Sequence, residues 1–317
     1  MVYRSRLFLA LLLLAVVIAA QAQYKAPRTP EGQPDLQGIW SNASLTPFER
    51  PAALAGKEFF TEKEAADYLH QLSQQNNRDK RAATPEEDVG QAYNEAWFDR
   101  GSQLSPNMRT SVVVDPKDGR VPALTAAARA AASKRAGQLR GLAETPRDFT
   151  LNVRCLLWGT AGPPMLPGPY NNNYQILQTK DYVAIQVEMI HDTRIIPLDG
   201  RKHVDPAVRP WMGDSIGHFE GDTLIVDTTN FRDDYNFRGS DANLHLIERF
   251  TRTAPGAIRY QFTVDDPSAF THQWTGEVMM TSASGPLYEY ACHEGNEALA
   301  DMLRGARAQE KAAQGKK

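Results

Sequence analysis

Apolar positions recur at two periods along this chain. Between Tyr174 and Cys292 they alternate every second residue or gather in short β-branched and aromatic runs, which predicts strands over Tyr174–Thr179, Tyr182–Leu198, Ile216–Phe219, Asp222–Thr228, Leu244–Thr251, Ile258–Val264, Thr275–Ser282 and Leu287–Cys292. Lys180-Asp181, Asp199-Gly200, Glu220-Gly221 and Ser284-Gly285 mark turns between them. Such short links leave no room for crossover helices, so the sheet is expected to be antiparallel. Two earlier segments, Leu36–Trp40 and Val112–Val114, add short strands.

Elsewhere the period is helical. Thr61 with Glu64 forms a capping box ahead of the apolar stripe Tyr68, Leu69 and Leu72, and Phe60 is placed to staple onto Ala65. Thr84-Pro85-Glu86-Glu87 is a second start signal. Thr125 caps an alanine-rich helix running to about Leu139, and a closing helix spans about Glu297 to Lys311 with Leu299, Met302 and Leu303 as contacts. The expected class is mainly β with helical additions (α+β): an antiparallel barrel or strongly curled sheet over 154–296, wrapped by a helical, irregular region over 35–153, and followed by a C-terminal helix and tail over 297–317. Residues 23–34, with Pro27, Pro30, Gly32 and Pro34, look like an extended leader, with order beginning at Asp35.

Composition adds the compartment. Arg4 and Arg6, the apolar run Leu7–Ala19 and the small-residue site Ala20-Gln21-Ala22 predict a signal peptide over 1–22, cut after Ala22, and hence a periplasmic or secreted protein. The apolar run is too short to span a bilayer, so no stable membrane insertion is expected. Without those two arginines the chain has 33 basic against 38 acidic residues, a formal charge of −5, which gives no reason to expect a nucleic-acid partner. The two cysteines, Cys155 and Cys292, are expected to pair in an oxidising compartment, closing a loop of 137 residues and bringing Arg154, His293 and Glu294 into one neighbourhood.

Candidate chemistry concentrates in two places. Read as one strand, Tyr182–Leu198 puts Val183, Ile185, Val187, Met189 and His191 on one face and Glu188, Ile190, Asp192 and Arg194 on the other. The second face either lines a polar cavity or faces water. Candidate acid–base residues are Asp192, His293, Glu188, Arg194 and His191, although His191 and Asp192 share a site only at a bulge or strand end. Tyr170, Asn171, Asn172 and Asn173 after a Pro-Gly-Pro loop, with Arg154 and Glu294, are candidate ligand-binding groups. The seven histidines include no H-x-H or H-E-x-x-H pair, so neither metal nor other cofactor is assigned. Nucleotide loops and Ser nucleophile elbows are absent.

The runs PDLQGIWSN, LPGPYNNNYQI, EMIHDTRIIPLDGR, GDTLIVDTTNF and YEYACHEGN resemble a family of uncharacterised exported bacterial proteins. That resemblance implies export but no activity. Gly38 and Trp40 resemble the G-x-W of the first lipocalin strand, which implies a calycin-like barrel at best. The expected function is binding of a small organic molecule or glycan fragment; a cofactor-free lyase, isomerase or hydrolase is the alternative, and a structural or interaction module a third.

Overall fold

The computed structural model describes residues 24–315 apart from 91, 92, 141, 160 and 236. The expected signal peptide lies outside them. No helix among the described residues is long and apolar enough to cross a membrane. Ten strands are described: β1 (Gly38–Ser41), β2 (Val113–Asp115), β3 (Asn173–Gln178), β4 (Tyr182–Val187), β5 (Thr193–Pro197), β6 (Asp214–Glu220), β7 (Thr223–Thr229), β8 (His245–Ala254), β9 (Ala257–Asp265) and β10 (Trp274–Ser282). The helices are α1 (Glu62–Asn76), α2 (Pro85–Gly90), α3 (Ala126–Arg140) and α4 (Ala298–Gln314).

The strands form one antiparallel sheet in the order β5-β4-β3-β1-β10-β9-β8-β7-β6, with β2 pairing the start of β10. The sheet curls until its two edges meet, giving a nearly closed barrel. At that seam no ladder joins β5 to β6. Side chains join them instead: Arg194 Nη2 lies 3.2 Å from Ser215 Oγ, and Gly217 leaves room that Ile196 and Leu198 fill, since a Cβ there would come within 2.8 Å of Ile196. Alternation sends Trp40, Tyr174, Ile185, Val226, Leu246, Phe262 and Trp274 inward as the core. Gly38 holds φ +134° beneath the Trp40 indole, whose Nε1 donates to Leu36 O at 2.9 Å, so the G-x-W pattern serves local packing.

Several local readings match. Thr61 and Glu64 make the capping box of α1, with Phe60 and Ala65 buried beside Leu104. Cys155 and Cys292 are bonded, with Cα atoms 5.7 Å apart.

Three expectations are corrected. Order begins before Asp35: Ala26 is buried, and Arg28 bridges to Pro34 through a turn closed by Thr29 N to Gln33 O. Leu287–Cys292 is irregular rather than a strand, because its backbone bonds go to local turns and to Glu188 rather than to a ladder. Tyr182–Leu198 is two strands, not one: Met189–His191 form a 3-10 turn in which Ile190 and His191 take φ of +62° and +51°.

Candidate functional site

That turn resets the side-chain phase. Before it, Val183, Ile185 and Val187 face the interior; after it, Arg194 and Ile196 do, while Ile195 faces out. Glu188, Asp192 and Arg194 therefore do not share one face. Arg194 enters the barrel, where its Nη1 and Nη2 reach Glu248 Oε1 and Oε2 at 3.0 and 2.5 Å. The two side chains are 2% and 0% exposed. Tyr260 donates to Glu248 at 2.8 Å, and Ser215 and Thr228 sit beside Nη2. Burial pulls the Arg194 pKa down, but the Glu248 carboxylate outweighs it and the net direction is up. Closed on all sides, this pair is a structural element of the core.

Glu188, at the turn, is 3% exposed, and its carboxylate accepts from Asn173 Nδ2 at 2.8 Å and from Tyr288 N at 3.3 Å. His191 is exposed, with Nδ1 3.0 Å from Tyr290 O. A carbonyl only accepts, so Nδ1 carries the proton in that bond and the neutral ring keeps Nε2 as an acceptor. Burial pushes the Asp192 carboxyl up against the opposing effect of His191, and its Oδ2 is buried with no hydrogen-bond partner among the described residues. His191 ends the 3-10 turn and Asp192 follows it as the extended C-cap, with no hydrogen bond or ion pair between their side chains among the described residues. Backbone at positive φ in a β-branched residue such as Ile190 is strained and persists only where packing imposes it; both Met189 and Ile190 are buried.

The other predicted residues scatter. Asn172 is a loop strut: Oδ1 accepts from Gly168 N and Nδ2 donates to Asp99 O, each at 2.7 Å. Asn171 holds the chain at φ +53°. Tyr170 packs on Trp158 and hydrogen-bonds Tyr290, whose own pKa is pushed up to about 12 by burial and by Tyr170. His293 and Glu294 are exposed and make no hydrogen bond or ion pair with Arg154 among the described residues, although the disulfide fixes Cys292 next to it.

Arg154 instead lines a cleft of about 520 Å³ between α3, the segment Arg147–Gly159 and the loop after β7. Phe149, Leu151, Leu157 and Tyr235 give it apolar walls, and Arg135, Arg147 and Arg154 bring three guanidinium groups. Its two acids are already engaged. Asp148 accepts from the backbone of Thr145 and Glu144 at 2.7 and 2.9 Å, which lowers its pKa. Asp234 is held two-pronged by Arg232 at 2.8 and 3.1 Å, which lowers its pKa, with Arg154 adding a small contribution. Neither Arg147 nor Arg154 uses its guanidinium in a hydrogen bond or ion pair among the described residues, and Arg135 reaches only Asp233 O at 3.4 Å. Sequence reading found Arg154 through the cysteines but missed Arg135, Arg147 and Asp234, because nothing local marks residues that meet only through tertiary packing. Among known proteins, no family model matches this chain and no curated sequence matches it.

Proposed function

We propose that this protein binds a small organic anion, such as an acidic sugar fragment, in the cleft lined by Arg135, Arg147 and Arg154. The observation that carries the reading is the imbalance of charge: Arg147 and Arg154 without hydrogen-bond partners among the described residues, and Arg135 held only by Asp233 O, line a cleft whose carboxylates are engaged by other groups. Planar guanidinium groups suit bidentate capture of a carboxylate, sulfate or phosphate, and apolar walls suit the rest of a small molecule. The volume lies within the range of small-molecule sites. Export through a cleaved signal over 1–22 would deliver the protein to a compartment in which the disulfide persists. In the same reading the helical first half wraps the barrel in a calycin-like plan.

The test is titration calorimetry with galacturonate, its short oligomers and benzoate against neutral galactose, on the mature chain and on the variant Arg147→Met with Arg154→Met. Binding of at least one anion, weakened about tenfold or more in the variant, is expected, the equivalent of losing about 1.4 kcal/mol. No binding by any anion, or equal binding by the double variant, would remove the proposal.

A second reading, a cofactor-free acid–base enzyme, is favoured by the Glu188–Asp192 segment alone, where exposed His191 is followed by a carboxyl whose pKa burial raises. Its test is a turnover screen with His191→Ala and Asp192→Asn.

A further inference from the structure

Another cavity, of about 330 Å³, opens along α1. Leu69, Leu72, Ser73 and Asn76 line it from one face of that helix, at the i, i+3, i+4 and i+7 spacing that puts side chains in a row. Residues 77–79, which follow the helix, and the segment 95–102 supply most of the remaining wall, and Leu45 completes it. Hydrogen bonds lock these pieces together. Glu95 N donates to Asp79 Oδ1 at 3.0 Å and Arg78 N to Glu95 Oε2 at 3.2 Å, while Leu45 N donates to Gln103 O at 2.8 Å.

The wall combines an apolar surface with charges of both signs. Leu45, Leu69 and Leu72 are only half-buried, although Leu45 and Leu69 pack on the small core of Phe60, Ala65 and Leu104. Apolar area is therefore left uncovered where these leucines line the cavity. Arg100 lies with its guanidinium 4.1 Å from the centroid of the Phe98 ring, which restrains its plane. Its Nη1 reaches Asn76 O at 3.4 Å and Glu95 Oε1 at 3.5 Å. Its Nε and Nη2 make no hydrogen bond among the described residues, and those two parallel donors are what a bidentate grip on a carboxylate needs. Asp79 Oδ2 likewise accepts no hydrogen bond among the described residues.

The sign of the charge narrows the ligand. Among the described residues the charged side chains lining the cavity are Arg100, Asp79 and Glu95, one positive against two negative, a formal sum of −1. The carbonyl end of α1 adds to the negative side. A simple anion is poorly matched to that field. A molecule that carries an ammonium group next to its carboxylate answers both signs, and an apolar body covers the leucines.

We propose that this cavity binds a free α-amino acid with an apolar side chain. Its carboxylate lies on Arg100 Nε and Nη2, its ammonium group on Asp79 with Glu95 beside it, and its side chain on Leu45, Leu69 and Leu72. The volume lies at the small end of the range for ligand sites, as a molecule of that size requires. The site is separate from the anion cleft and does not rest on it.

The test is titration calorimetry on the full mature chain with L-leucine and L-phenylalanine. Three further molecules each lack one element of the match: 4-methylpentanoate has no ammonium group, leucinamide no carboxylate and L-serine no apolar body. Saturable binding of at least one of the two apolar amino acids, one per chain, is expected, with each of the three others about tenfold or more weaker than the tighter of them. Asp79→Asn keeps an oxygen for Glu95 N and removes the charge. That variant and Arg100→Met, each checked for an unchanged circular dichroism spectrum, should weaken binding about tenfold or more. Should Arg100→Met lose its fold, Asp79→Asn decides alone. Absence of saturable binding by both amino acids overturns the proposal. So does any of the three incomplete molecules binding as tightly, or undiminished binding in Asp79→Asn, since the ligand is then held by other groups.

Discussion

Arg194→Met leaves Glu248 fully buried with one remaining side-chain donor, the Tyr260 hydroxyl at 2.8 Å. The guanidinium it removes makes two bonds to that carboxylate and lies near Ser215 and Thr228. Stranding one member of a buried pair costs about 3–5 kcal/mol. Against a total stability of roughly 5–15 kcal/mol, that is a third or more of what holds the chain folded. Glu248→Gln strands the cation instead and should cost a similar amount. Combining the two changes removes both charges, keeps an amide oxygen for Tyr260, and should return the protein to within about 2 kcal/mol of the parent. The assay is urea unfolding followed by tryptophan fluorescence, with the midpoint read at constant slope. Single variants that lose under about 1 kcal/mol, or a double variant as unstable as the sum of the singles, would show that water reaches the pair and that the reasoning is wrong.

Gly276→Ala places a methyl within 2.2–2.9 Å of the Phe262 ring, so it should cost about 1–3 kcal/mol by overpacking, and an unchanged unfolding midpoint would contradict the packing described. Asp192 has its folded pKa raised by burial, so its charged form disfavours the folded state, a penalty absent below the ordinary carboxylate range and present once pH exceeds the raised value. Asp192→Asn should therefore melt higher than the parent at about pH 7, with the difference fading toward about pH 3; an equal difference at both, or a lower melting temperature at pH 7, would count against it.

Most strand positions were legible because period-two burial is written into each strand separately: Leu224, Val226 and Thr228 point in whatever lies around them. The capping box at Thr61 was legible for the same reason, since its partner is three residues away. Arg194 was misplaced because a 3-10 turn of three residues shifts the phase of everything after it, and Met189-Ile190-His191 carries none of the Gly, Pro or Asn that usually marks a turn. Leu287–Cys292 was misread because its alternation is real while β10, the strand before it, already pairs with β1, β2 and β9 and leaves it no partner there. The cleft was invisible, since its members come from distant segments and each alone is an ordinary surface residue.

The seam between β5 and β6 gives the barrel's slow motions a direction. Parting any other neighbours breaks a ladder of backbone hydrogen bonds, whereas parting these two disturbs side-chain contacts such as those among Arg194, Ser215, Ile196, Leu198 and Gly217. Breathing therefore starts there, and the first interior groups to meet entering water are the guanidinium of Arg194 and the carboxylate of Glu248, which water can solvate. The aromatic rings packed around Trp274 lie under strands still laddered on both sides, so the molecule opens first where wetting is least costly.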